Sequence, residues 1–432
     1  RSVYMSIEAG WQFQCSNTTC LPFATVTVSN IDNCQVACLA QVDCQALTFY
    51  RSSSNCELFA DISNQNGNLS ANIDTVTMIA IDGTRIPLAC NFFLNQTTYA
   101  VSTNPYSVAV ADVDSDYKPD IVVAASQSLS SVGVLLNAGD GTFNAQPVYP
   151  VGSNLYSVAV VDVNSDNKPD IIVPSQSGSI VSVVLNAGNG TFNAQTIYTV
   201  GDNPYSVAVV DVNSDYKPDI VVANSGSANV GVLLNAGNGT FNNQTTYTVG
   251  NNPHSVVVVD VNSDYKPDII VANYGSNTVS VLLNAGSGTF IAQTTYIVST
   301  NPSSVAVADV NSDNKPDIIV ANEGSNTVGV LLNAGNGTFN AQITYTVGNN
   351  PYSVAVVDVN SDYKPDIIVA NYGSSNVGVL LNAGNGTFNA QTTYPVGNEP
   401  YSVAVVDVNS DYKPDIIVAN YGSNTVSVLL HC

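Results

Sequence analysis

The nine-residue stretch Asp358-Val359-Asn360-Ser361-Asp362-Tyr363-Lys364-Pro365-Asp366 constrains this chain more than any other feature. Its pattern occurs seven times, beginning at Asp112, Asp162, Asp211, Asp260, Asp309, Asp358 and Asp407, with one step of 50 residues and then steps of 49. A fixed period of this length signals a solenoid or a propeller, in which each unit buries its apolar faces against its neighbours. Oxygen-bearing side chains fall at positions 1, 3, 5 and 9. That spacing lets a tight loop turn several carboxylates onto one hard cation, and calcium takes six to eight oxygens at about 2.3–2.6 Å.

The expected ligands are Asp112, Asp114, Asp116 and Asp120 in the first loop, and Asp162, Asn164, Asp166 and Asp170 in the second. The third offers Asp211, Asn213, Asp215 and Asp219, and the fourth Asp260, Asn262, Asp264 and Asp268. The fifth offers Asp309, Asn311, Asp313 and Asp317, and the sixth Asp358, Asn360, Asp362 and Asp366. The seventh offers Asp407, Asn409, Asp411 and Asp415. Position 7 would add a backbone carbonyl, from Lys118, Lys168, Lys217, Lys266, Lys315, Lys364 and Lys413.

Charge supports this reading through its placement. The chain has a net charge of −23, and the loops hold 22 of its 33 acidic residues together with all seven lysines. Up to seven Ca²⁺ ions would offset nearly all of the loops' excess negative charge; the competing reading is a solvated acidic surface. The chain has no basic patch, so nucleic acid is not an expected partner. No apolar run reaches the roughly 18–20 residues of a membrane span. Apolar residues make up 45% of the 432 and charged residues 10%, enough for a large core in two or three domains.

Between loops, the repeat reads as four β-branched runs separated by turns. In one copy these are Tyr352–Val357, Ile367–Asn371, Asn376–Asn382 and Thr387–Val396. Asn385-Gly386 signals a two-residue hairpin, because both positions of a type I′ turn need positive φ. Seven such units predict a mainly β fold, a seven-bladed propeller over residues 90–432. The last copy stops after its third run, while residues 91–101 form an orphan fourth run ahead of the first copy. The N-terminal side should therefore supply the outer strand of the last blade. Repeat register places Cys90 and Cys432 two residues apart across one turn. A Cys90–Cys432 disulfide there would close roughly 340 residues, worth about 4–5 kcal/mol in the chain-entropy account.

Seven of the eight cysteines lie within the first 90 residues. Such density indicates disulfides and an oxidising, extracellular setting. Eight sequons agree: Asn17, Asn68, Asn95, Asn189, Asn238, Asn243, Asn336 and Asn385 are N-glycosylation candidates. The chain opens at Arg1 without an initiator Met, which reads as a mature form that has lost a signal peptide. Ser29 looks like an N-cap with Asp32 in a capping-box position, so a helix through Cys34–Ala40 is expected. Strands should follow over 44–50 and 56–59.

The spacing of Cys34, Cys38, Cys44 and Cys56 around Ala46-Leu47-Thr48-Phe49-Tyr50 resembles the PAN/apple domain over residues 10–83. The resemblance implies a small disulfide-rich α+β domain over residues 1–89, with pairs Cys34–Cys56 and Cys38–Cys44, which leaves Cys15–Cys20. It also implies protein or carbohydrate binding, or a stapled spacer. The repeats resemble the FG-GAP/VCBS family, found in integrin α-subunit propellers and some calcium-dependent fungal lectins, and the family's calcium ligands map onto positions 1, 3, 5 and 9. One departure bears on affinity. The family usually has Gly at position 6, whereas this chain has Tyr117, Asn167, Tyr216, Tyr265, Asn314, Tyr363 and Tyr412.

No catalytic constellation is evident. The two histidines, His254 and His431, each stand where other repeats carry a different residue. There is no phosphate-cradling Gly loop and no zinc pattern, so an enzyme is not expected. Asn-Pro-Tyr turns (Tyr106, Tyr205, Tyr352, with Glu399-Pro400-Tyr401) and Asn-Tyr-Gly turns (Tyr274, Tyr372, Tyr421) should share the face opposite the loops. There they either contact a ligand or pack between blades. The expected function is non-catalytic extracellular recognition or adhesion by a secreted calcium-binding glycoprotein that engages a protein or a glycan. The alternatives are a structural subunit of a glycosylated fibril, built head to tail from copies of this chain, and a calcium-dependent lectin.

Overall fold

A computed structural model describes residues 92–126, 130–145 and 148–432, together with the backbone of five strands before them. The chain divides into two compact units, Arg1–Asn91 and Phe92–Cys432. That division falls two residues beyond the boundary expected from the sequence.

In the first unit the five strands form one antiparallel sheet. Its order is Met5–Cys15, Gly67–Ala80, Ala46–Tyr50, Asn55–Phe59 and Ala24–Thr27. The two strands expected around Leu47 and Leu58 are present and pair directly, Leu47 opposite Leu58. The expected helix Cys34–Ala40, the sequon Asn17 and the side chains of Cys15, Cys20, Cys34, Cys38, Cys44 and Cys56 lie outside the described residues.

Among the described residues the second unit is a propeller of seven blades, six of four strands and the first with a fifth, Phe143–Ala145, on the same sheet. Blade 6 shows the plan. Pro351–Val357, Asp366–Asn371, Asn376–Leu380 and Thr392–Pro395 run from the channel outward. All pairings within it are antiparallel. The second strand of every blade is buried at all six positions. This explains the unbroken apolar runs, because both faces of that strand meet a neighbouring blade. Ile367 and Val369 pack towards blade 5, and Ile368 and Ala370 towards blade 7. Seven apolar clusters fill the seven junctions, including the one that joins blade 7 to blade 1.

The expected fourth run, Thr387–Val396, is two strands rather than one. Thr387–Phe388 folds back on Asn382–Gly384 as a separate ribbon, and only Thr392–Pro395 joins the blade. The Asn-Gly turn closes the ribbon. Asn385 and Gly386 sit at φ 55° and 70°, which reverses the chain within two residues.

Ring closure follows the expected course. Thr97–Ala100 is the outer strand of blade 7, pairing with Thr425–Leu429. Next to it Phe93 bridges His431, Leu94 N–H donates to Leu430 C=O, and Cys432 N–H donates to Phe92 C=O. The two ends of the propeller thus rebuild the ribbon that a two-residue turn, Asn-Gly in blades 2, 3, 5 and 6, forms elsewhere. Cys432 is disulfide-bonded, and its expected partner, Cys90, lies outside the described residues.

Deleting residues 1–101 should open blade 7 and expose the edge of Thr425–Leu429. The truncated chain is expected to self-associate, as measured by light scattering. A monodisperse monomer with the full chain's melting temperature would show that the orphan strand does not close the ring.

Candidate functional site

Each calcium-type loop joins the first and second strands of its blade, and its hydrogen bonds repeat seven times. The position-1 carboxylate accepts the position-6 N–H at 2.7–2.8 Å and the position-5 N–H at 3.1–3.2 Å. Position 5 accepts the position-7 N–H at 2.9–3.0 Å. These contacts draw the loop around its first carboxylate. In the first loop Asp112, Asp114 and Asp116 bring carboxylate oxygens within 4.8 Å of one another. Burial first, then the charge of Asp116, raises the Asp114 pKa. Crowded hard oxygens of this kind fit a divalent cation. Asn replaces Asp at position 3 in the other six loops and keeps an oxygen there.

Position 9 has a second task. Asp366 is fully buried, and its Oδ2 accepts Val359 N–H at 3.0 Å while Oδ1 accepts Asn382 N–H at 2.8 Å. Asn382 then donates from Nδ2 to Val310 C=O in the preceding blade at 2.9 Å. The same relay runs from Asp120, Asp170, Asp219, Asp268 and Asp317 through Asn137, Asn186, Asn235, Asn284 and Asn333. In blade 7 His431 stands at the Asn position. Its N–H donates to Asp415 Oδ1 at 2.7 Å, and Nε2 lies 2.8 Å from Val359 C=O. This role of His431 was readable from repeat register alone, because it falls on the Asn382 position. Desolvation pushes Asp366 and Asp415 up to about 6.

Position 6 carries the most exposed aromatic residues of the propeller. Tyr117, Tyr216, Tyr265, Tyr363 and Tyr412 are 93–96% exposed and sit at φ 63–67°. A left-handed conformation costs an L-residue roughly 1–2 kcal/mol, and Asn167 and Asn314 fill the same place in blades 2 and 5 at φ 62°. Sequence reasoning treated this position as a departure from Gly and missed that it raises a crown of phenol rings on the loop face. The signal was present, since a bulky residue at an enforced positive φ has no folding advantage over Asn. Six loop lysines pair with their position-5 Asp at 2.7–3.6 Å. Those pairs are solvated and contribute little.

On the opposite face the tyrosines turn inward. In six blades the first strand has a bulge between its Pro and the Ser two residues on. The extra residue, Tyr106, Tyr205, His254, Ser303, Tyr352 or Tyr401, therefore points into the central channel. Tyr156 takes the equivalent place in blade 2. The channel encloses about 120 Å³. The hydroxyls of Tyr205, Tyr352 and Tyr401 hydrogen-bond to one another. Tyr156, Tyr205, His254 and Tyr274 stack face to face at 4.2–4.5 Å. Beneath them a ring of seven serines links the blades, each Oγ accepting an N–H from the next blade at 3.2–3.4 Å. Burial pushes Tyr205 and Tyr401 well above the phenol range, Tyr352 to about 12, and His254 down to about 4.

Residues 112–173, 162–222, 211–271, 260–320, 309–369 and 358–418 match the FG-GAP-like repeat. The chain belongs to the FG-GAP-like repeat family. Residues 14–80 match the PAN domain, as the cysteine spacing implied. None of the curated proteins matches this FG-GAP chain. Solved structures share its fold. BBS1N, crystallised with ARL6DN, has a TM-score of 0.58 at 14% identity, covering 79% of this chain and 97% of that one. Virginiamycin B lyase from Staphylococcus aureus gives 0.56 at 13%, covering 78% and 99%. A putative 6-phosphogluconolactonase from Bacteroides fragilis gives 0.56 at 14%, covering 84% and 98%. At such identity the likeness is one of architecture only, and the FG-GAP propeller is consistent with a binding module.

Two measurements test this geometry. Asp366→Asn should cost about 1–3 kcal/mol, because an amide cannot accept both N–H groups that Asp366 holds. Urea denaturation in chelator isolates that loss from any ion; an unchanged midpoint contradicts the hub. His254 titrates near 4 when folded and near 6.5 when unfolded, so the unfolded chain takes up the proton first. Its contribution is fully present above about pH 6.5 and is lost as pH falls towards 4. His254→Tyr, the residue of five other blades, should reduce the drop in melting temperature between pH 6.5 and 4.5.

Proposed function

We propose that this protein is a secreted, calcium-stabilised glycoprotein that recognises an extracellular protein or glycan without catalysis. The observation that carries the reading is the crown of exposed tyrosines on the loop face. Five rings bury nothing within the chain, yet they stand where Asn would fold at lower cost. Rigid, amphipathic rings of this kind suit recognition surfaces. Calcium bound by positions 1, 3, 5 and 9 and by the position-7 carbonyl would stiffen their base. Each buried position-9 oxygen keeps a second lone pair for the ion.

The remaining features agree. The sequon residues Asn95, Asn189, Asn238, Asn243, Asn336 and Asn385 are all exposed. No helix among the described residues is long and apolar enough to cross a membrane. PAN and FG-GAP modules together suit an extracellular setting.

Calcium should raise the melting temperature by mass action, and chelation should lower it. An unchanged melt across a calcium titration would sink the metal reading. Replacing the five crown tyrosines by Asn should leave that melt intact while abolishing binding on a glycan array or to immobilised extracellular proteins. If binding survives the five substitutions, recognition lies elsewhere.

A further inference from the structure

The channel mouth opposite the loops departs from the repeat at blades 4 to 7. The propeller contains two glutamates, Glu323 and Glu399, and both are on this rim. Glu323 stands in the turn position that Tyr274, Tyr372 and Tyr421 occupy in blades 4, 6 and 7. Glu399 stands where the six other 4→1 turns carry Asn, and it adopts the same left-handed backbone, φ 55°. Asn tolerates that conformation and Glu does not favour it, so the exchange does nothing for the turn. Strained departures from an otherwise repeated sequence are where function is to be sought.

The two carboxylates flank an aromatic cluster. Tyr352 and Tyr372 have ring centroids 6.1 Å apart, Tyr372 and Tyr421 6.4 Å, and Tyr352 and Tyr401 3.9 Å. Glu399 reaches over the backbone beside Tyr421, with Oε2 2.8 Å from where a β-carbon on Gly422 would lie. After burial, the Glu399 charge is the next cause lifting Tyr372 to about 12, and Glu323 acts in the same direction on Tyr352.

Among the described residues neither glutamate has a counter-ion. The propeller's cations are the loop lysines. Six pair with loop aspartates, and Lys413 donates to Cys432 C=O. Among the described residues no ion pair reaches Glu323 or Glu399. Electron-rich ring faces between two carboxylates that accept hydrogen bonds from Tyr274 and Tyr372 but meet no cation among the described residues, at the opening of a 120 Å³ channel, are complementary to one chemical group.

We propose that the rim formed by Glu323, Tyr352, Tyr372, Glu399 and Tyr421 binds an organic ammonium group. The carboxylates supply charge and the rings supply cation–π contact. A small free amine and the lysine side chain of a partner both present this group. The site needs no calcium and is distinct from the tyrosine crown, so it stands or falls separately from the recognition function proposed above.

The test titrates choline into the full-length protein, followed by tyrosine fluorescence and calorimetry. Its uncharged isostere 3,3-dimethylbutan-1-ol is titrated in parallel. Choline should saturate while the alcohol does not. Glu323→Gln and Glu399→Gln should each weaken choline at least tenfold, and Asp202→Asn, a rim carboxylate outside the cluster, should not. Equal behaviour of choline and the alcohol overturns the proposal, as does choline binding that ignores both glutamines or no saturable binding at all. A lysine-containing peptide that competes with choline identifies a partner side chain as the source; failure to compete points to a free amine. A normal calcium melt for each variant shows that the fold is intact.

Discussion

A carboxylate with no solvent exposure holds each blade to the next. Asp366 accepts the N–H that starts its own loop and the N–H of Asn382, and Asn382 reaches the loop of the preceding blade. Burying such a group is expensive unless its oxygens are paired. Here the pairing runs through two strands and a neighbouring sheet, so loop shape, strand register and blade spacing are set together. Seven copies of the relay encircle the propeller on the loop side, and seven serine links encircle it near the channel. The apolar clusters between blades supply most of the stabilisation. The polar relays determine where each blade sits.

This arrangement separates the two ends of the molecule chemically. The loop end concentrates acidic oxygens and raises tyrosines from a backbone that the position-1 carboxylate pins into a left-handed turn. The channel end gathers tyrosines inward, because in six blades a bulge after the Pro turns one residue towards the axis. Both ends use the same residue type, and the backbone geometry decides whether the ring is presented or packed. The same plan explains why His431 suits the last blade. It stands at the Asn position, and its imidazole reaches the carbonyl that an amide reaches elsewhere.

The large features were legible because they repeat. Period, strand count, ring closure by residues 91–101 and the Asn-Gly turns all follow from hydrogen-bonding and φ requirements that act over a few residues. The fourth run, Thr387–Val396, reads as one strand because β-formers stand on both sides of its β-poor centre, Asn389-Ala390-Gln391. The break after Phe388 depends on the ribbon's pairing with Asn382, which propensity does not register. Tyr106, Tyr205, Tyr352 and Tyr401 could have faced a ligand or a core. Nothing in Asn-Pro-Tyr says that a bulge follows, and the bulge is what turns them inward.

The sequence by itself determined the architecture, since seven closely similar local patterns can bury their two-sided apolar strands only against one another. It also determined which oxygens gather in each loop, because nine consecutive residues carry them. Tertiary structure alone decided which tyrosines are exposed and that position-9 aspartates are buried hubs. It alone brought Glu323 and Glu399, 76 residues apart in the chain, to either side of one aromatic cluster. Those outcomes depend on the angle at which neighbouring blades meet, and that angle is set by packing across the whole ring.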